Sequence, residues 1–155
     1  MERTKTKNCK LRARWNNYRR FQFSLLFLFV FLGSHGSFAQ AIKFKSTDFS
    51  YKERFGRDNW SNWEEWQEAS VLIVLDIDNE RILVYSKERQ VYDVVEYEGE
   101  HYDKDNDLVY SFYCVDNSGH TCRVRLVKLL SENNQFQLYI DYDDFMIVYN
   151  AYSLN

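Results

Sequence analysis

The chain has 155 residues, 45% hydrophobic and 28% charged, which suits one domain with a core and is too short for two comfortable ones. Aromatic residues reach 18% and proline is absent, which excludes collagen-like, polyproline and proline-linker architectures. The net charge of −3 divides into opposite halves: residues 1–20 hold eight basic side chains against Glu2 alone, while residues 40–155 hold 12 basic and 22 acidic ones.

That division is the pattern of an exported protein. The stretch 21–32 reads FQFSLLFLFVFL, interrupted only by Gln22 and Ser24. Its 12 residues fit the core of a signal peptide and fall short of the ~20 a membrane-spanning helix needs. Ser37 and Ala39 then supply the small residues before a cut between Ala39 and Gln40. The expectation is a signal peptide over 1–39, with a signal helix at 21–32, and a secreted, periplasmic or cell-envelope domain over 40–155. An uncleaved anchor, held by the basic leader on the inner side, is the alternative. Cys9 precedes the apolar run and no cysteine stands at the cut, which argues against a lipid anchor there. The acidic exported part is a poor nucleic-acid partner, and membrane contact is expected only through the signal or anchor.

In chain order, short apolar or alternating runs predict strands. A first short strand is expected at 41–44. VLIVLDI at 71–77 opens with five apolar residues, as a strand covered on both faces would. RILVYS at 81–86 and VYDVVEY at 91–97 follow. LVYSFYCV at 108–115 and TCRVRLVKLL at 121–130 flank a turn, and FQLYIDY at 136–142 and FMIVYNAY at 145–152 flank Asp143 and Asp144. Only the stretch 59–69 offers a short helix. The short connections require antiparallel neighbours. The predicted fold is therefore all-β, an antiparallel meander of seven or eight strands forming a small barrel or sandwich.

Cys114 and Cys122 are the only cysteines after the signal. A three-residue loop at Asn117, Ser118 and Gly119, with Gly119 in the left-handed conformation, pairs Asp116 with His120, Val115 with Thr121 and Cys114 with Cys122. In an oxidising compartment that juxtaposition predicts a structural disulfide between Cys114 and Cys122. Two cysteines without clustered histidine make a poor zinc site.

Catalytic signals are weak. Ser118, His120 and Asp116 crowd one turn without a nucleophile elbow or an oxyanion hole. The acids offer no pair singled out for glycoside hydrolysis. No catalytic residue and no cofactor is assigned. Asp103, Asp105 and Asp107 resemble the start of a calcium loop, but an EF-hand then needs glycine and glutamate where Leu108 and Cys114 stand. What remains for them is a solvated acidic turn between strands or, as the weaker candidate, a calcium site of another kind. Trp60, Trp63 and Trp66 form W-x-x-W-x-x-W, which resembles the ladder of thrombospondin type 1 repeats without their disulfides and layered arginines. On a helix they would span an arc of about 120° and pack as a lid. As a surface they would stack on the apolar faces of sugars, beside acids that accept hydroxyl protons.

Four segments together resemble a family of small secreted proteins of Bacteroidetes-type bacteria: the Phe38-Ala39-Gln40 exit, VLIVLDIDNERILVYSKERQVYDV after the tryptophans, CVDNSGHTCRVRL, and the closing QLYIDYDDFMIVYNAYSL. The resemblance covers nearly all of 40–155 and implies no activity or site. The functional expectation is a non-catalytic exported domain that binds a protein or a glycan. The alternative is a carboxylate-dependent enzyme acting on polysaccharide.

Overall fold

Period-2 alternation decides which side chains leave water. In the 121–129 run, Cys122, Val124 and Leu126 are buried while Thr121 and Arg123 are exposed, because successive residues of a strand face opposite sides. The computed structural model describes residues 41–57, 59–133 and 135–154. The basic leader, the apolar core and the cut after Ala39 lie outside the described residues.

Ten strands are present: β1 (Ala41–Phe55), β2 (Asn59–Trp60), β3 (Gln67–Glu68), β4 (Leu72–Asp76), β5 (Arg81–Tyr85), β6 (Arg89–Tyr102), β7 (Leu108–Asp116), β8 (Thr121–Leu129), β9 (Gln135–Asp141) and β10 (Phe145–Ser153). Neighbours run β1-β4-β5-β6-β7-β8-β9-β10, every pair antiparallel, and β10 pairs back onto β1 from Phe44 opposite Ser153 to Glu53 opposite Phe145. Eight strands thus close an up-and-down barrel, in which each strand of the circuit is paired on both sides where its neighbours reach. The two shortest strands, β2 and β3, add to β1 from outside that circuit.

An eight-stranded barrel is just wide enough for its own side chains to fill. Here Ile73, Ile82, Val84, Cys114, Val124, Leu138 and Ile140 are fully buried inside it. The expected register of the last hairpin is present: Ile140 faces Ile147, and the Tyr142 amide donates to the Phe145 carbonyl at 2.9 Å.

Strand alternation defines two rims. The near rim carries Ala41, Ser153, the turn 77–80, the loop 103–107 and the turn after Leu129. The far rim carries the connections 86–88, 117–120 and 142–144 and the turn after Phe55.

Three expectations are corrected. Residues 59–69 form no helix; they run extended along β1. The first strand is 15 residues long rather than four. Cys114 and Cys122 stand opposite each other, as the loop argument requires, but they are free buried thiols and not a disulfide. The ladder explains this. Gly119 takes φ 88°, its amide donates to the Asp116 carbonyl, and Asp116 and His120 form a hydrogen-bonded pair at 2.9 Å. Two residues along, Cys114 and Cys122 form another such pair, the type whose side chains stand further apart, whereas a disulfide needs Cβ atoms about 3.5–4.5 Å apart.

Candidate functional site

The far rim holds a cleft of about 320 Å³ between β1 and β10. A bulge between Ser46 and Asp48 shifts the phase of β1, so Phe49, Tyr51 and Glu53 lie opposite Tyr149, Ile147 and Phe145. Those side chains, Tyr149 excepted, form its walls with Arg54 and Asp144. The Phe49 ring lies 5.9 Å from Tyr149, and Phe145 stacks on Tyr142 at 4.4 Å. Arg54 is fixed at the lip: its amide donates to the Asp144 carbonyl at 2.7 Å and its guanidinium to the Asp143 carbonyl at 3.1 Å.

Beneath the cleft lies a chain of buried hydroxyls. Tyr142 donates to the Asp116 carboxylate at 2.9 Å and Tyr92 donates to Gln90 at 2.8 Å. The Tyr142 side chain lies beside Tyr92, and Gln90 lies beside Tyr149. Burial pushes all three phenols above their ordinary pKa, so they are neutral donors at neutral pH. For Asp116, desolvation acts to raise the pKa. The amides of His120 and Ser118 and the Tyr142 hydroxyl outweigh it and hold the carboxyl below the usual range. Burial raises Cys114 to about 12 and Cys122 to about 11, so neither is a nucleophile at neutral pH.

On the outer side of β1 lies the tryptophan segment. Ser61, Glu64 and Ala69 donate their amides to the carbonyls of Glu53, Tyr51 and Thr47 at 2.8, 2.9 and 3.0 Å. Buried Ser50 donates to the Glu64 carbonyl at 2.6 Å, and buried Ser46 donates to the Ala69 carbonyl while accepting from the Val71 amide at 2.8 Å. The Lys52 ammonium lies 5.2 Å from the Trp60 ring and 4.7 Å from Trp63, a cation–π arrangement. Trp63 also meets Tyr139 edge-on at 6.2 Å. Trp63 remains 41% and Trp66 50% exposed. The three rings therefore do not form a uniform ladder: Trp60 and Trp63 share Lys52, and Trp66 stands more open.

The other sequence candidates are occupied by local structure. The Asp103 carboxylate accepts the amides of Asp105 and Asp107 at 2.9 and 3.0 Å, and Asp107 accepts the Leu130 amide at 2.8 Å. Among the described residues, no group of three or more His, Cys, Asp or Glu is placed to hold a metal. The Asp116 carboxylate binds the amides of Ser118 and His120 at 2.8 and 2.9 Å, which organises the turn rather than a nucleophile.

The cleft residues were not singled out from sequence. Their signal is the F-S-Y-K-E alternation at 49–53, hidden by the extra residue at Thr47. Comparison with family models, curated proteins and solved structures returns no match.

Proposed function

We propose that the chain is an exported, non-catalytic binding domain that takes a neutral or amino sugar at the far rim. The observation that carries this reading is the composition of the cleft. Phe49, Tyr51 and Phe145 offer apolar ring surface beside the carboxylates of Glu53 and Asp144 and the guanidinium of Arg54. Ligand sites combine mostly apolar walls with a few placed polar groups, and about 300 Å³ is the lower end of their size range. Rings suit the apolar faces of a sugar and carboxylates accept its hydroxyl protons. Two acids against one guanidinium, itself bonded to a carbonyl, disfavour uronic and sialic acids. Because the barrel is filled below, a ligand enters only the mouth, as a terminal residue of a longer glycan does.

The test is calorimetric titration with neutral, amino and acidic oligosaccharides, repeated on Phe145→Ala, Glu53→Gln and Trp66→Ala. Affinity lost about tenfold or more in the first two supports the cleft. Loss only in Trp66→Ala moves the site to the tryptophan segment. Sugar release that disappears in Glu53→Gln or Asp144→Asn replaces binding by hydrolysis, the rival that two carboxylates in one cleft keep in play.

A further inference from the structure

At the opposite rim, β6 outruns its neighbour. β5 pairs only with Arg89–Asp93, and the Val94 amide then bonds the Glu80 carbonyl at 2.8 Å. From Val95 to Tyr102, β6 has β7 on one side and no strand among the described residues on the other. The ladder fixes which backbone groups face that opening. Asp116 directs its amide to β8, so its β6 partner Tyr92 points away from β7. Carried through the two register shifts, at Val94/Glu96 and Tyr97/Gly99, the same alternation aims the backbone of Tyr97, Glu100 and Tyr102 at the open edge.

The side chains along this edge have a clear chemical character. Tyr97 is 51% and Tyr102 62% exposed; both share a face with exposed Glu100, whose β7 partner is Tyr110. Between Arg89 and Lys104 the sequence holds Asp93, Glu96, Glu98, Glu100 and Asp103 and no lysine or arginine. Glu98 pairs with Arg123 at 2.6 and 2.8 Å and Asp93 with Arg81 at 2.6 Å, which leaves Glu96, Glu100 and Asp103 to set the charge of the edge. Two copies joined edge to edge would set these acids against one another. A cationic strand would meet complementary charge.

We infer that the open edge of β6 is a docking site for an extended, lysine- or arginine-bearing peptide segment, added as one more strand with a cation beside Glu100 and between the rings of Tyr97 and Tyr102. Main-chain bonds supply affinity in such strand addition, and side chains of alternate residues supply selectivity. Tyrosine faces add cation–π attraction to the carboxylate. The site lies at the other rim from the sugar cleft and stands or falls independently of it.

The experiment is amide NMR of the purified protein with a blocked peptide of about eight residues alternating valine and lysine. The expected result is shifted and slower-exchanging amides at Tyr97, Glu100 and Tyr102, with the cleft unchanged. N-methylation of alternate peptide amides should abolish the effect. Glu100→Lys and Tyr102→Ala change exposed positions, and each should weaken binding, the first at least ~10-fold. The inference is overturned by no response at these amides, by equal binding of the N-methylated or a valine–glutamate peptide, or by full affinity in Glu100→Lys. Protection of the same amides that grows with protein concentration alone also overturns it, in favour of a second copy.

Discussion

Beyond Lys45, β1 leaves β4 and takes the chain's own 59–71 segment along its edge, whereas β6 beyond Val94 leaves β5 and gains no new strand among the described residues. Both strands overrun the short β4–β5 hairpin, at opposite rims. The covered edge needs hydroxyls at buried positions, and Ser46 and Ser50 provide them at 2% and 1% exposure. The bare edge instead carries two bulges and a run of acids, devices that discourage another sheet from adding on. Covering an edge spends sequence on its own partner; leaving it open while charged admits only a partner of opposite sign.

The core that both extensions share carries the largest expected effect. Ile140→Ala removes a side chain with no exposure, opposite Ile147, and should cost about 2–5 kcal/mol in denaturant unfolding. A loss below about 0.5 kcal/mol would mean that the barrel interior is not filled as described.

Next comes the covered edge. Ser46→Ala strands the Val71 amide and the Ala69 carbonyl in a buried site, and should cost about 1–3 kcal/mol while exposing 61–69 to protease. If exchange at Val71 stays as slow as in the parent, the segment is held by something other than this hydroxyl.

Smaller effects compare glycines. Gly119 has φ 88° and Gly99 φ 101°, and a Cβ at either meets nothing within 4 Å, so backbone strain alone penalises a side chain. Gly119→Val and Gly99→Val should each cost about 1–2 kcal/mol. Only the second should shift the amides of Tyr97 and Glu100. Equal stability of Gly119→Val and the parent would contradict the three-residue loop.

Acid titration probes the far rim. The lowered pKa of Asp116 favours the folded state above the unfolded carboxyl value of about 3.9, and that contribution is lost as pH falls through the lower folded value. Asp116→Asn should flatten this part of the stability curve, and an unchanged acid limb would remove the carboxylate from that role. The smallest readout is chemical: Cys114 and Cys122 should react slowly with thiol reagents in the folded protein and readily, both of them, after denaturation. Finding neither reactive in the unfolded chain would restore a crosslink.

Strands whose alternation is unbroken were legible. The hairpins at Asn117–Gly119 and Asp143–Asp144, the pairing of Cys114 with Cys122 and that of Ile140 with Ile147 all follow from local turn chemistry and period 2. Closure as a barrel rather than a sandwich was not legible, since it is fixed by β1 meeting β10 far along the chain. Bulges hid the rest. One extra residue at Thr47 masks β1 and with it the cleft residues Phe49, Tyr51 and Glu53, and register shifts around Val95 and Glu98 mask the end of β6. The tryptophan spacing fits a helix in isolation. What overrides it is the row of carbonyls on β1 that accept the amides of Ser61, Glu64 and Ala69, a partner that no local pattern contains.

The joining of the first strand to the last also sets the timing of folding. Each hairpin from β4 to β10 can form as its own residues emerge, since those contacts are local. The β1–β10 seam cannot, because its halves lie at opposite ends of the described chain. Such distant pairing raises contact order and slows the final step. A chain threaded out of a compartment from its N-terminus would remain an open sheet, with both outer ladders unpaired, until the nine residues of β10 arrived. A chain stopped short of Phe145 would keep those two ladders available to one another across molecules, so aggregation is the expected fate of truncation there.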